Sequence, residues 1–167
     1  MNFKKTLCMV LAALTVTCSL AACGGSDDDG KDSGSKASAS AESVDVVEVA
    51  DKLKSDITYD DELIEIDSGK IESILGVAAD SYKSAKVYIS SSGATPEEIA
   101  CFEATNGSTA TTIESSLKTR ITNQKSTFTD YKPEQAPKLD DAVLIKDGSY
   151  VYLCISGDSS KAKEIIG

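Results

Sequence analysis

Histidine is absent from all 167 residues, and so is tryptophan. The first absence removes Ser-His-Asp and Cys-His nucleophile mechanisms, imidazole metal sites and the commonest general base. The second, with only three phenylalanines and six tyrosines, leaves few of the stacking platforms that glycosidases usually carry. No Gly-x-Gly-x-x-Gly, Walker A or Gly-x-Ser-x-Gly pattern occurs, so the familiar phosphate cradles and nucleophile elbows are missing. Basic charge is scarce as well: 17 Lys and Arg stand against 27 Asp and Glu, a net charge of −10. A chain of that sign repels nucleic acid and anionic lipid headgroups alike, so no nucleic-acid role is expected. Long apolar runs are missing too. Leu7 to Leu20 spans fourteen residues, whereas a membrane-crossing helix needs about twenty.

That short run belongs to another pattern. Lys4 and Lys5 form a positive n-region, Leu7–Leu20 an apolar h-region, and Ala21 and Ala22 the small residues of a cleavage site; together, residues 1–22 read as a signal peptide. The seam Leu20-Ala21-Ala22-Cys23 resembles the lipobox of bacterial lipoproteins. The resemblance implies diacylglyceryl transfer to the Cys23 thiol and cleavage before it, which leaves Cys23 as the first residue and two acyl chains as a durable anchor. Each buried CH₂ contributes about 0.8 kcal/mol, so two chains hold where one is marginal. The expected location is the cell membrane, lipid-anchored and facing the extracytoplasmic side. Without Lys4 and Lys5 the side-chain charge falls to −12, so attachment rests on lipid and not on a basic face.

Residues 23–43 read as the lipidated cysteine and a linker. Gly24–Glu42 holds no apolar residue larger than alanine and buries too little surface to offset its ordering entropy. Its root-mean-square span is about 25 Å. Asp27, Asp28, Asp29 and Asp32 evoke calcium, but Lys31 and the missing Glu break the loop pattern, which leaves a solvated spacer. Of the five cysteines, Cys8 and Cys18 leave with the signal, Cys23 is the anchor, and Cys101 and Cys154 remain. Export permits a disulfide between these two; the apolar strand-like runs around them point instead to free buried thiols.

Residues 44–167 carry folding periodicity. Val46, Ala50, Leu53 and Ile57 recur at helical spacing behind Asp45 and Glu48. "ELIEI" (62–66) reads as a short strand. Asp67 caps a brief helix through Ile71, Ile74 and Leu75 that Gly76 stops. "KVYIS" (86–90) alternates, "SSGATPE" is a loop in which Pro96 bars a central strand, and "EIACFEA" (98–104) is a second strand. After Asn106-Gly107, Ser108 is placed to cap a long helix with the stripe Ile113, Leu117, Ile121 and Phe128. Pro133 and Pro137 bracket a loop. "AVLIKDGSYVYLCIS" then reads as a hairpin turning at Asp147-Gly148, and a capped helix closes the chain. The reading is α+β: one small domain, mainly an antiparallel sheet of four or five strands with helices packed on it, ending in a β-hairpin and a short helix.

The order "SSGATPEEIACFEA", a long helix ending "KSTFTDYKPEQAPKL", then "AVLIKDGSYVYLCIS" is similar to a family of Gram-positive bacterial lipoproteins, the domain-of-unknown-function family with serial number 4358. The resemblance covers most of 44–167 and implies an envelope lipoprotein without an assigned activity, so it transfers no catalytic residue. The chain departs from it where Cys101 and Cys154 stand at strand positions that are usually aliphatic.

Remaining chemistry is thin. Ser-x-x-Lys occurs at Ser33/Lys36, Ser115/Lys118 and Ser160/Lys163, without companion motifs and at the frequency chance supplies. Carboxylates cluster at Asp60-Asp61-Glu62, Glu97-Glu98 and Asp140-Asp141, each beside an element end where solvated charge is ordinary. Tyr150 and Tyr152 share one strand face opposite Val151, Leu153 and Ile155, and Tyr88 stands likewise opposite Val87 and Ile89. If that face is open, the three tyrosines form a surface for peptide or glycan; if a helix covers it, they are core. No catalytic residue, metal ligand or cofactor is expected. The expectation is a non-enzymatic binding or interaction module, tethered at Cys23, whose partner is an envelope protein, peptide or glycan. The alternative is a His-free envelope hydrolase working through paired carboxylates.

Overall fold

A computed structural model describes residues 44–167; the signal, lipobox, linker and Ser33/Lys36 assignments lie outside them. Among the described residues, no helix is long and apolar enough to cross a membrane. Helix α1 (Val46–Asp56) starts where the Asp45 carboxylate accepts the Val47 N–H at 2.8 Å, and it buries Val46, Ala50 and Leu53 as the periodicity requires. Strand β1 (Leu63–Glu65) precedes α2 (Ser68–Leu75), which Asp67 caps through the Gly69 N–H. Gly76 ends α2 at φ +70°, the left-handed conformation that glycine adopts without a Cβ penalty.

Strand β2 (Tyr82–Ser90) runs four residues longer at its start than the alternation alone indicates, and β3 (Glu98–Ala104) follows the 91–97 loop. Helix α3 (Gly107–Tyr131) is capped by Asn106, whose side chain accepts the Thr109 N–H at 3.0 Å. The expected cap, Ser108, is already inside the helix, because the asparagine reaches its third residue. The proline-bracketed segment is a 3₁₀ turn (Pro133–Gln135) and a single helical turn, α4 (Pro137–Asp140); proline is tolerated at both because the first-turn N–H lacks an intrahelical partner. Strands β4 (Val143–Asp147) and β5 (Tyr150–Ile155) form the hairpin. Asp147 pairs with Tyr150, so the turn is Gly148-Ser149, one residue beyond the expected Asp147-Gly148, with Gly148 at φ +55°. Helix α5 (Ser159–Ile166) is capped by Asp158.

All pairings are antiparallel in the order β1-β2-β3-β5-β4, which makes the domain α+β with β3 at the centre. Strand alternation divides the core in two. On one face Val87, Ala100, Phe102, Val151, Leu153 and Ile155 meet α2 and α3. On the other, Tyr88, Ile99, Cys101, Tyr152 and Cys154 meet α1 and α5. Both faces are therefore covered, and β3 is buried almost end to end. Its small residues Ala100, Cys101 and Ala104 let helices approach from either side.

This arrangement corrects the tyrosine surface. Tyr88, Tyr150 and Tyr152 do share a face, but Tyr88 is only 6 % and Tyr152 only 4 % exposed. The Tyr88 hydroxyl donates to Asp51 on α1 at 2.5 Å. Burial, reinforced by that carboxylate, pushes its pKa up to about 12. Tyr150 alone is half-buried and stacks on Tyr152 with ring centroids 6.3 Å apart. Cys101 and Cys154 are buried free thiols, raised above the ordinary thiol range by desolvation.

Because Leu53 is fully buried between α1 and the sheet, Leu53→Ala is expected to cost about 2–5 kcal/mol. Urea unfolding at constant m-value checks this; a loss below about 1 kcal/mol would mean that α1 is only loosely docked.

Candidate functional site

The face not closed off by α1 and α5 carries a cleft. Two adjoining concavities, of about 360 and 210 Å³, share Arg120, Gln124 and Phe128. The larger lies between the end of α2 and the α3 face carrying Ser116, Thr119, Asn123 and Thr127. The smaller lies between α3 and the 90–98 segment.

Glu98 anchors the floor. It begins β3 in phase with Ala100 and Phe102, so the pleat turns it into the core, where it is 1 % exposed. Arg120 Nε donates to both carboxylate oxygens at 2.9 and 2.7 Å, and Nη2 lies 2.6 Å from Oε2. Gln124 Nε2 adds a fourth contact at 3.0 Å. Arg120 Nη1 donates onward to the Ile74 carbonyl at 3.0 Å, so one side chain ties β3, α3 and α2 together. Burial raises the Glu98 pKa, with Arg120 and then Gln124 opposing the shift. An unpaired carboxylate at this depth costs several kcal/mol, which the guanidinium offsets.

Glu97 is equally buried, and it faces the other way along the chain. Its oxygens accept the Asp60 N–H at 3.0 and 2.9 Å, the Asp61 N–H at 3.1 Å and the Thr95 hydroxyl at 3.0 Å. Lys138 on α4 supplies the positive charge at 2.6 Å and bridges to Asp60 at 2.6 Å. The clamp is reciprocal. Asp61 accepts the Ser90 hydroxyl, the Ser92 hydroxyl at 2.6 Å and the Ser92 N–H at 3.0 Å. Each loop thus lends the other a carboxylate, which fixes the 90–97 wall of the cleft.

The acidic clusters are accordingly unlike one another. Asp140 is exposed and pairs with Lys125, and Asp60 is exposed, as expected of solvated charge. Glu97 and Glu98 contradict that expectation: a period-two strand entry buries them, and fixed donors saturate them. Ser115, one of the Ser-x-x-Lys serines, donates to the Thr111 carbonyl, while Lys118 pairs with Glu114 at 2.6 Å. Neither is aimed at the other. Arg120 and Gln124 were not among the expected site residues, although the signal was present. They fall three and seven positions after Leu117 and so continue the inward stripe of α3.

The model of the family described as "Domain of unknown function (DUF4358)" matches residues 55–156. The chain belongs to the DUF4358 family. No curated protein and no solved structure matches it. The DUF4358 segment contains every residue lining the cleft, whereas α5 and all but the last two residues of α1 fall outside it. The cleft is thus built wholly from the family's own segment.

Serine donors and the Ser92 and Glu62 N–H groups hold the Asp61 carboxyl well below its ordinary value of 3.8. The folded state therefore binds fewer protons than the unfolded chain as acidity rises. Its contribution to stability is complete above the ordinary value and is lost as pH falls through the folded one. The melting temperature of the parent chain is expected to exceed that of Asp61→Asn by a constant margin above about pH 5, and the margin to narrow below about pH 4. A margin independent of pH would contradict this role.

Proposed function

We propose that this DUF4358 chain is a lipid-anchored extracytoplasmic module that binds its partner in the α2–α3 cleft without transforming it. The observation that carries the reading is the state of the two acids at the cleft. Paired-carboxylate hydrolysis needs one carboxyl to give a proton and a second to take one or to attack. Glu97 and Glu98 instead spend their oxygens on backbone N–H groups, Thr95, Gln124, Arg120 and Lys138. What the cleft offers is a rigid wall and hydrogen-bonding side chains. The tether is supported by the Leu20-Ala21-Ala22-Cys23 box and the spacer behind it. Cys23 becomes the lipidated terminus, at the cell membrane and facing outward.

Two measurements in intact cells test the reading. Cys23→Ser is expected to release the protein from the membrane fraction, and a photo-crosslinking residue at Asn123 to capture an envelope component that the same residue at Lys52 does not. Retention of Cys23→Ser on the membrane would contradict the anchor. Turnover of an envelope polymer by the purified full chain would contradict the non-enzymatic reading.

A further inference from the structure

The hydrogen-bonding inventory of the cleft narrows what it can hold. This step rests on the reading of the cleft as the binding site. The exposed rim of α3 presents Thr119, Asn123 and Thr127 at four-residue spacing, about 6 Å per step. The Thr119 hydroxyl donates to the Ser115 carbonyl at 3.0 Å, the Thr127 hydroxyl to the Asn123 carbonyl at 3.1 Å, and the Ser116 hydroxyl to the Gly76 carbonyl at 3.1 Å. With their protons committed, all three oxygens face the cleft as acceptors. Gln124 adds another: its amide nitrogen is fixed on Glu98, and Oε1 is left buried without a donor. Against these, the donors are few. Arg120 has five N–H groups; three are spent on Glu98 and Ile74, which leaves two. Asn123 contributes its amide.

Charge narrows the choice further. Arg120 is the one charged residue lining the larger concavity, and Glu98 beneath it neutralises it. An anion finds no uncompensated cation there and meets a chain of net charge −10, while a cation finds the one carboxylate already occupied. The complement of this surface is neutral and rich in donors. A peptide backbone brings one N–H per residue of about 3.4 Å, whereas a sugar brings a hydroxyl on most of its ring carbons. The larger concavity, at about 360 Å³, falls within the range of small-ligand sites, roughly 300–1,000 Å³. We infer that the cleft takes a neutral, hydroxyl-bearing oligosaccharide held by the Ser116–Thr119–Asn123–Thr127 rim and the two spare N–H groups of Arg120. Phe128 is the one aromatic side chain lining the two concavities and is only 7 % exposed, so hydrogen bonds carry the recognition and the affinity is modest.

The test is calorimetric titration of the full chain in a sugar-free zwitterionic detergent. The probes are chitotetraose and maltotetraose as neutral sugars, polygalacturonate as an anionic one, and an uncharged alanine-serine peptide. A neutral tetrasaccharide is expected to saturate with Kd below about 1 mM. T119V/T127V is expected to weaken it at least ten-fold, and T122V/T129V to leave it unchanged. The control pair also loses two exposed hydroxyls bonded to the preceding turn, to Lys118 and Lys125, so matched melting temperatures remove a folding explanation. Saturation by neither sugar, tighter binding of the polyanion, or equal affinity of the two double variants would overturn the proposal. Saturation by the peptide alone, lost in T119V/T127V, would overturn the sugar while leaving the cleft as the binding site. Isolated envelope glycan, pelleted with bound protein, separates a polymer ligand from a free oligosaccharide.

Discussion

The buried ion pair between Glu98 and Arg120 is the contact on which the cleft depends. A carboxylate 1 % exposed at the start of a central strand is unfavourable unless a cation reaches it, and the cation comes from the middle of α3. Through Nη1 the same guanidinium holds the last turn of α2. Three elements are therefore fixed relative to one another by one side chain, and the space left between them is the larger concavity. The pair also sets the electrostatic character of the site, because two charges that cancel leave a polar but neutral floor.

Around that pair the remaining polar interactions act as a frame. Glu97 and Asp61 exchange carboxylates between the α1–β1 and β2–β3 loops, and Lys138 brings α4 onto the same knot. These groups are buried or shared among several donors, so they stiffen the wall. The Lys125–Asp140 pair is different in kind: both partners are about half exposed, and such pairs contribute little.

Much of the fold was legible because local signals agreed with global packing. Asp45, Asp67 and Gly76 mark helix ends by their own chemistry, and the stripes of α1 and α3 point inward as their spacing requires. The hairpin slipped by one residue because glycine at the first turn position serves as well as at the second, and Ser108 was outreached by Asn106. Coverage was harder. Alternation places Tyr88, Tyr150 and Tyr152 on one face but is silent on whether α1 and α5 lie over it, since that depends on contacts far apart in sequence. The site was obscured for a related reason. Glu98 has the strand phase of a core residue and Arg120 the helical phase of one, yet each alone reads as surface charge. Only their meeting across 22 positions lets Glu98 be buried and Arg120 half-buried.

A double-mutant cycle on Arg120 and Glu98, followed by urea unfolding, tests this account most directly. Arg120→Met leaves Glu98 charged and buried, and is expected to cost about 3–5 kcal/mol. Adding Glu98→Gln removes the stranded charge, and the double variant is expected to recover part of that loss, with a coupling of roughly 1–3 kcal/mol. Additive effects of the two substitutions would contradict the claim that this pair organises the cleft.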